Sequence, residues 1–420
     1  MADYVVKDID LAPEGAKKIE WVRRNMPIMY GLEQKYLSMP AEKRPFHGLK
    51  VSLCMHLEAK TAYLGKVFAA AGADIAVTGS NVLSTQDSIA AALAADGYKV
   101  YAIHGESDEE YERNSERCLE IRPDIIIDDG ADLVTMLHTK RQDLIEGIIG
   151  GCEETTTGII RLKALENEGK LRFPMLAVND AKCKHLFDNR YGTGQSVMDA
   201  IMRNTNLIIA SKTVVVAGYG WCGKGLALRA AALGAKVIVT EIDPVKAIEA
   251  RMDGYEVMPM ICAAPLGDIF ITATGCAKVI TLEHVVLMKD GAILTNAGHF
   301  DVEVDMASLR EKSIGSYEAR KNITAFQFPG GKMIHVISDG RLVNIAAADG
   351  HPAEIMDLSF AVQFYAALYL LENKGKLDNA VINVTDSIDD KIARARLEAW
   401  DVEIDSLTEE QKKYLNSWDL

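Results

Sequence analysis

Residues 213–225 read TVVVAGYGWCGKG, and this stretch decides the fold. Val214, Val215, Val216 and Ala217 make a short apolar β run. Gly218, Gly220 and Gly223 follow in G-x-G-x-x-G spacing, and an Ala/Leu-rich helical pattern continues through Leu233. In such a turn the first glycine allows the tight bend. The second lets a pyrophosphate approach the backbone, and the third lets helix pack on strand. The helix start presents unpaired N–H groups to the phosphates. One strand later stands Glu241, followed by Ile242, Asp243 and Pro244 with no arginine. A carboxylate there accepts hydrogen bonds from ribose hydroxyls and repels a 2′-phosphate, so the pattern predicts NAD rather than NADP.

Working outward, strand and helix patterns alternate in both directions. Strands are predicted at 49–54, 74–78, 99–103 and 124–127, with helices at 59–71 and 86–95 between them. Beyond the glycine turn come strands at 236–240, 268–272, 292–295 and 333–337, then a long apolar helix at 354–373. Alternation of this kind implies parallel sheets with helices on both faces. The expectation is an α/β protein of two doubly wound Rossmann-like domains with a C-terminal helical segment. A substrate domain would span 1–190, an NAD domain 191–347, and the segment 348–420 would return to the first. Ligands would bind in the cleft between the domains.

Composition narrows the function. The 420 residues carry 60 acidic and 46 basic side chains, a net charge of -14. Nucleic acids and anionic lipid surfaces call for a basic face, so neither is an expected partner. The N-terminus has no apolar signal core, and the longest apolar run, 360–371, is broken by Gln363. A bilayer takes about 20 residues, so the expected location is the cytoplasm. Seven scattered cysteines without a CxxC pair read as reduced thiols. Nine histidines without HExxH or H-x-H spacing predict no metal site.

Longer motifs are HLEAKTA (56–62), STQDSIAAA (84–92), GCEETTTG (151–158), VNDAKCKHLFDNRYGTGQS (178–196), NAGHFDVE (296–303) and RLVNIAAADGHP (341–352). Taken in order with the glycine turn, they closely resemble the S-adenosylhomocysteine hydrolase family, in its archaeal and thermophilic branch, over nearly the whole chain. The resemblance implies a homotetrameric enzyme that holds one NAD per subunit and acts on a nucleoside thioether. In this family the ribose 3′-hydroxyl is oxidised transiently to a ketone. The ketone acidifies the C4′ proton, the thiolate leaves C5′, water adds, and the ketone is reduced again.

Roles follow by position. Lys184 matches the group that takes the 3′-hydroxyl proton, which is expected to need burial or a nearby cation to bring its pKa toward neutrality. Asp188 and Glu154 match the acids at the ribose hydroxyls, and Asp129 the acid near C4′. His56 and His299 match the two histidines near C5′, and His299-Phe300 the gate that excludes water. Thr155, Thr156 and Thr157 match cofactor contacts, with Asn189 and Asn344 at the nicotinamide end. Glu58, Lys60, Thr61, His351, Met356 and Phe360 match positions around the purine.

Three departures qualify the match. Many members carry Thr and Glu where this chain has Glu58 and Lys60. A lysine only donates, so it suits a 6-oxo purine, and Glu58 could accept the N1 proton of hypoxanthine. S-Inosylhomocysteine is therefore an alternative substrate to S-adenosylhomocysteine. Thr193 replaces a family cysteine, which predicts no redox thiol beside the cofactor. The last residues, Asn416 to Leu420, stop short of the Lys/Tyr-rich tail of many members, so weaker subunit-crossing contacts to NAD are expected.

Overall fold

The computed structural model describes residues 3–418; Met1, Ala2, Asp419 and Leu420 lie outside it. Sixteen strands form two eight-stranded sheets among the described residues. The first contains β1 (Tyr4–Val5), β2 (Lys50–Cys54), β3 (Asp74–Thr78), β4 (Lys99–Tyr101), β5 (Ile125–Asp128), β6 (Gly150–Glu153) and β7 (Met175–Ala177). The second contains β8 (Thr213–Ala217), β9 (Lys236–Thr240), β10 (Glu256–Val257), β11 (Ile269–Thr272), β12 (Ala292–Asn296), β13 (Gly315–Arg320), β14 (Ile323–Gln327) and β15 (Met333–Ile337). A last strand, β16 (Val381–Asn383), pairs parallel with β7, so the chain ends on the first sheet.

The first sheet runs β1-β4-β3-β2-β5-β6-β7-β16 and is parallel throughout. Its strands are continuous apolar runs such as Ile125-Ile126-Ile127, as burial on both faces requires. The second runs β10-β9-β8-β11-β12-β15-β14-β13. It is parallel except for the hairpin that carries β14 and β13 beyond β15. Its outermost strand, β13, is exposed along its whole length and reads GSYEAR, a polar edge that the hydrophobic pattern does not reveal. Order reverses between β2 and β5 in one sheet and between β8 and β11 in the other. At such switch points the loops splay apart and leave a crevice beyond the strand C-termini.

The helix Ala353–Glu372 is the spine of the first domain. It is long and apolar enough to cross a membrane, with hydropathy 1.3, yet 67% of that window is buried inside the protein. It packs on the helices Pro27–Leu37 and Asp386–Ala399. Asp357, fully buried, caps the first of these by accepting from the backbone N–H of Ile28 (3.1 Å) and Met29 (2.9 Å). The Arg396 guanidinium of the second lies 3.3 Å from it.

Candidate active site

One cavity of about 1400 Å3 opens between the two sheets. It is lined by His56, Glu58, Lys60, Thr61, Asp129, Glu154, Thr155, Thr156, Thr157, Lys184, Asp188, Asn189, Gly218, Gly220, Glu241, His299, Asn344, His351, Met356 and Phe360. The site residues expected from sequence line it except Phe300 and Gly223, the latter working from beneath the turn. A Cβ on Gly223 would lie 1.9 Å from the Gly218 carbonyl oxygen, so helix and strand meet backbone to backbone there. Gly218 has φ +94°, the bend that starts the turn.

The first sheet's switch point supplies an acid and a histidine. Asp129 follows β5, and His56 follows β2 by two residues. The His56 Nδ1 is 3.1 Å from the Ser80 hydroxyl, which turns Nε2 toward Asp129 at 3.7 Å. From the other domain, His299 places Nδ1 3.7 Å from the second Asp129 oxygen. The two imidazoles lie 5.4 Å apart. This approach needs Gly130 (φ +113°), whose Cβ would sit 2.8 Å from the His299 Nε2. Burial lowers the His56 pKa to about 4, and Asp129 only partly offsets it, so the ring is neutral. The ligand atoms of His56, Asp129 and His299 all lie within 4.8 Å of one another, a grouping that linear spacing could not show.

Lys184 and Asp188 sit at the junction of a short helix, Lys182–Lys184, and a π-helical segment, His185–Gly192. Wide π turns of this type recur at functional sites. The Lys184 ammonium donates to Asn189 Oδ1 (2.8 Å) and lies 3.3 Å from Asp188 and 3.6 Å from Glu154. Asn189 in turn donates to Asn179, and Asn179 to the Thr156 hydroxyl. These contacts correct the expectation of a lysine brought toward neutrality. Burial pushes its pKa down, but Asp188, Glu154 and Asp129 outweigh burial and hold it above the ordinary lysine value. The displaced proton affinity appears on Glu154 instead. Burial raises its pKa to about 8, against the lowering pull of Lys184. Asp188 stays ionised because Lys184 and His351 overcome its burial.

The spine helix contributes groups that the sequence reading passed over. Met356, Ser359, Phe360 and Gln363 fall at i, i+3, i+4 and i+7, one face of a helix. Ser359 donates to Asp188 (2.7 Å), and Gln363 donates to Glu154 (2.5 Å). The signal was the lone amide in an apolar run. His351 is engaged at both nitrogens, 3.0 Å from Asp188 and 3.2 Å from the Thr193 hydroxyl. That hydroxyl also lies 3.7 Å from the Cys222 thiol. A thiol therefore does lie beside Thr193, with its pKa raised by burial. It comes from the glycine turn, which carries Cys222 to the Thr193 side chain.

Across the cavity, Glu58 caps the helix Ala59–Ala70 by accepting from the N–H groups of Lys60 and Thr61. Its carboxylate also pairs with the Lys60 ammonium at 2.6 Å, both side chains being buried. Lys60 donates onward to the Asp349 carbonyl oxygen at 2.8 Å.

The remaining space fits a dinucleotide. Glu241 accepts from the Tyr219 N–H of the glycine turn (2.7 Å), which fixes the acid beside that turn. A Cβ on Gly220 would meet nothing within 4 Å, leaving room against the backbone. Thr157 Oγ1 and Asn344 Oδ1 are buried without a partner, and both residues line the cavity. Unpaired buried groups of this kind are costly unless a ligand satisfies them.

Two doubly wound sheets with switch points facing one cleft, and a glycine turn with its acid on one side, define a two-domain NAD-binding enzyme. Residues 189–350 match the NAD-binding-domain model of S-adenosyl-L-homocysteine hydrolase, and residues 3–146 match the S-adenosyl-L-homocysteine hydrolase model. The chain belongs to this family of hydrolases. It is 55% identical to the adenosylhomocysteinase of Pyrococcus abyssi over 417 residues, 99% of this chain and 98% of that one. It is 54% identical to the S-inosyl-L-homocysteine hydrolase of Methanocaldococcus jannaschii over 415 residues, 99% of each. With the adenosylhomocysteinase of Thermotoga maritima it shares 53% identity over 404 residues, 96% of this chain and 99% of that one.

Proposed function

We propose that this chain reversibly hydrolyses the C5′–S bond of S-adenosyl-L-homocysteine, or of its inosyl counterpart, to the nucleoside and L-homocysteine. The convergence of Lys184, Glu154, Asp188, Asp129, His56 and His299 on one cavity carries this reading. Bound NAD would supply reversible hydride transfer at C3′, through which the ribose alcohol is briefly a ketone.

Asp188 and Glu154 hold the ribose hydroxyls. Lys184 first passes a proton to Glu154 and, as the amine so formed, accepts the O3′ proton, ending as the ammonium it began as. A relay of this form needs no lysine that is neutral at rest, only a carboxylate whose affinity lies near the working pH. Asp129 takes the C4′ proton once the carbonyl has acidified it. The electron pair left on C4′ expels sulfur from C5′, and the two flanking histidines move protons there. One protonates the departing thiolate, and the other removes a proton from the entering water. Thr155, Thr156, Thr157, Asn189, Asn344, the glycine turn and Glu241 are assigned to NAD. Thr61, Met356 and Phe360 are assigned to the purine.

The inosyl reading rests on the Lys60 ammonium, a pure donor held at the purine edge by Glu58. A homotetramer, a cytoplasmic location and the division at residues 190 and 347 belong to the same proposal. The test is purified protein incubated with each nucleoside thioether. Release of free thiol without net accumulation of reduced nicotinamide is expected, and net reduced cofactor would point to a simple dehydrogenase. A kcat/KM for the adenosyl substrate more than about 100-fold above the inosyl one, nearly 3 kcal/mol, would remove the inosyl alternative.

A further inference from the structure

The first residue of the helix after the glycine turn is Trp221, a large ring where the phosphates approach the backbone. Its indole stacks on the His185 imidazole, with centroids 5.1 Å apart and planes 29° from parallel. On the indole sits the Lys224 ammonium, 4.6 Å from the ring centroid and tied to Glu249 at 2.6 Å. His185 is held by the Asp180 carbonyl oxygen at 3.2 Å. Trp221 and His185 both line the large cavity, and both remain partly exposed, which sets them at its rim. Glu241 marks one end of the dinucleotide cleft, and Asn189 with Asn344 marks the other. Trp221 belongs to the turn between those ends. The two rings come from opposite sides, Trp221 from the nucleotide-binding turn and His185 from the segment beside Lys184.

We propose that the His185–Trp221–Lys224 column is a clasp across the mouth of the NAD cleft that slows departure of the dinucleotide. The inference rests on NAD occupying this cavity. A dinucleotide whose pyrophosphate lies on the helix start is covered by the paired rings, and leaving requires them to part. An offset ring pair with a cation on its face corresponds to roughly tenfold in a rate that depends on breaking it.

The experiment is exchange of bound NAD against an excess of isotopically labelled NAD, followed by mass spectrometry of nucleotide extracted from the protein. Trp221→Ala and His185→Ala should each exchange roughly tenfold faster than the parent, as loss of one ring contact predicts. Trp221→Phe should stay within about threefold, because a ring remains. The double variant should exchange no faster than the single ones, since both remove one shared contact. Exchange at the parental rate in both alanine variants, or additive effects in the double variant, would overturn the clasp. Thermal unfolding of each variant is followed in parallel; a lowered midpoint with unchanged exchange also overturns it. Should Trp221→Ala fail to fold, His185→Ala and Trp221→Phe still decide the matter. A parent protein that holds no NAD would instead sink the proposed function, so the two failures are distinct.

Discussion

Replacing Lys184 by Met removes one cation from a pocket that holds three carboxylates. The side chain is 5% exposed, so solvent does little to compensate. Breaking a buried ion pair by deleting one partner costs about 3–5 kcal/mol. Two features place the stability loss near the lower end of that range. Glu154, with its pKa already raised to about 8, absorbs a proton cheaply, and Asp188 retains His351 at 3.0 Å. Turnover should fall much further, by the roughly 10²–10⁴-fold that a positioned proton-transfer group supplies. The relay locates this loss in the first half-reaction. Mixing NAD-loaded protein with nucleoside and following nicotinamide absorbance should show slow reduction in Lys184→Met, while the fully reduced level changes little. Lys184→Arg separates charge from proton transfer. Arginine keeps the cation and should restore stability, measured by urea unfolding, yet it does not give up a proton and should stay slow. Reduction at the parental rate in either variant would refute the relay.

Other consequences follow from single contacts. The relay works only with Glu154 ionised, so the rate of nicotinamide reduction should rise with pH up to about 8 and then level, and Glu154→Gln should abolish the rise. Gly223→Ala sets a methyl 1.9 Å from the Gly218 carbonyl, so about 1–3 kcal/mol of stability and most NAD content should be lost, read by thermal unfolding and nucleotide extraction. Asp357→Ala uncaps the Pro27–Leu37 helix and strands Arg396; a loss of about 3–5 kcal/mol in urea is expected, and a loss below 1 kcal/mol would contradict that role. Glu106, buried and raised to about 7, binds a proton in the folded state that the unfolded chain releases from about pH 4.5 upward. It therefore costs stability increasingly from about pH 4.5 to 7 and a constant amount above, up to about 3 kcal/mol. Glu106→Gln should flatten that slope in urea unfolding across this range.

The sequence carried the parallel architecture because buried parallel strands are apolar without interruption and β8 ends in a glycine turn. It carried the residues that meet in the cavity because their motifs are long and ordered. It could not carry charge states, which depend on side chains far apart in the chain. Glu154 and Lys184 exchange proton affinities only once the π-helical segment faces β6. Cys222 and Thr193 come together only when two helices cross. The hairpin of β13 and β14 was missed because β13 is polar and has little apolar alternation to read. Gln363 and Ser359 were legible as interruptions of an apolar helix, but their partners were not.

The buried Lys60 spans two concerns that enzymes usually keep apart. One neighbour, Glu58, belongs to the proposed purine edge; the other, the Asp349 carbonyl, belongs to the crossover on which the chain returns to its first sheet, and the Asp349 carboxylate is gripped from the second sheet's side by Arg203 at 2.8 Å. If Lys60 sets base choice as proposed, a mutation that retunes it also removes the contact to Asp349 that ties the two halves. Base preference and the grip between the two halves would then change together, and a substitution at Arg203 or Asp349 should disturb the setting of Lys60.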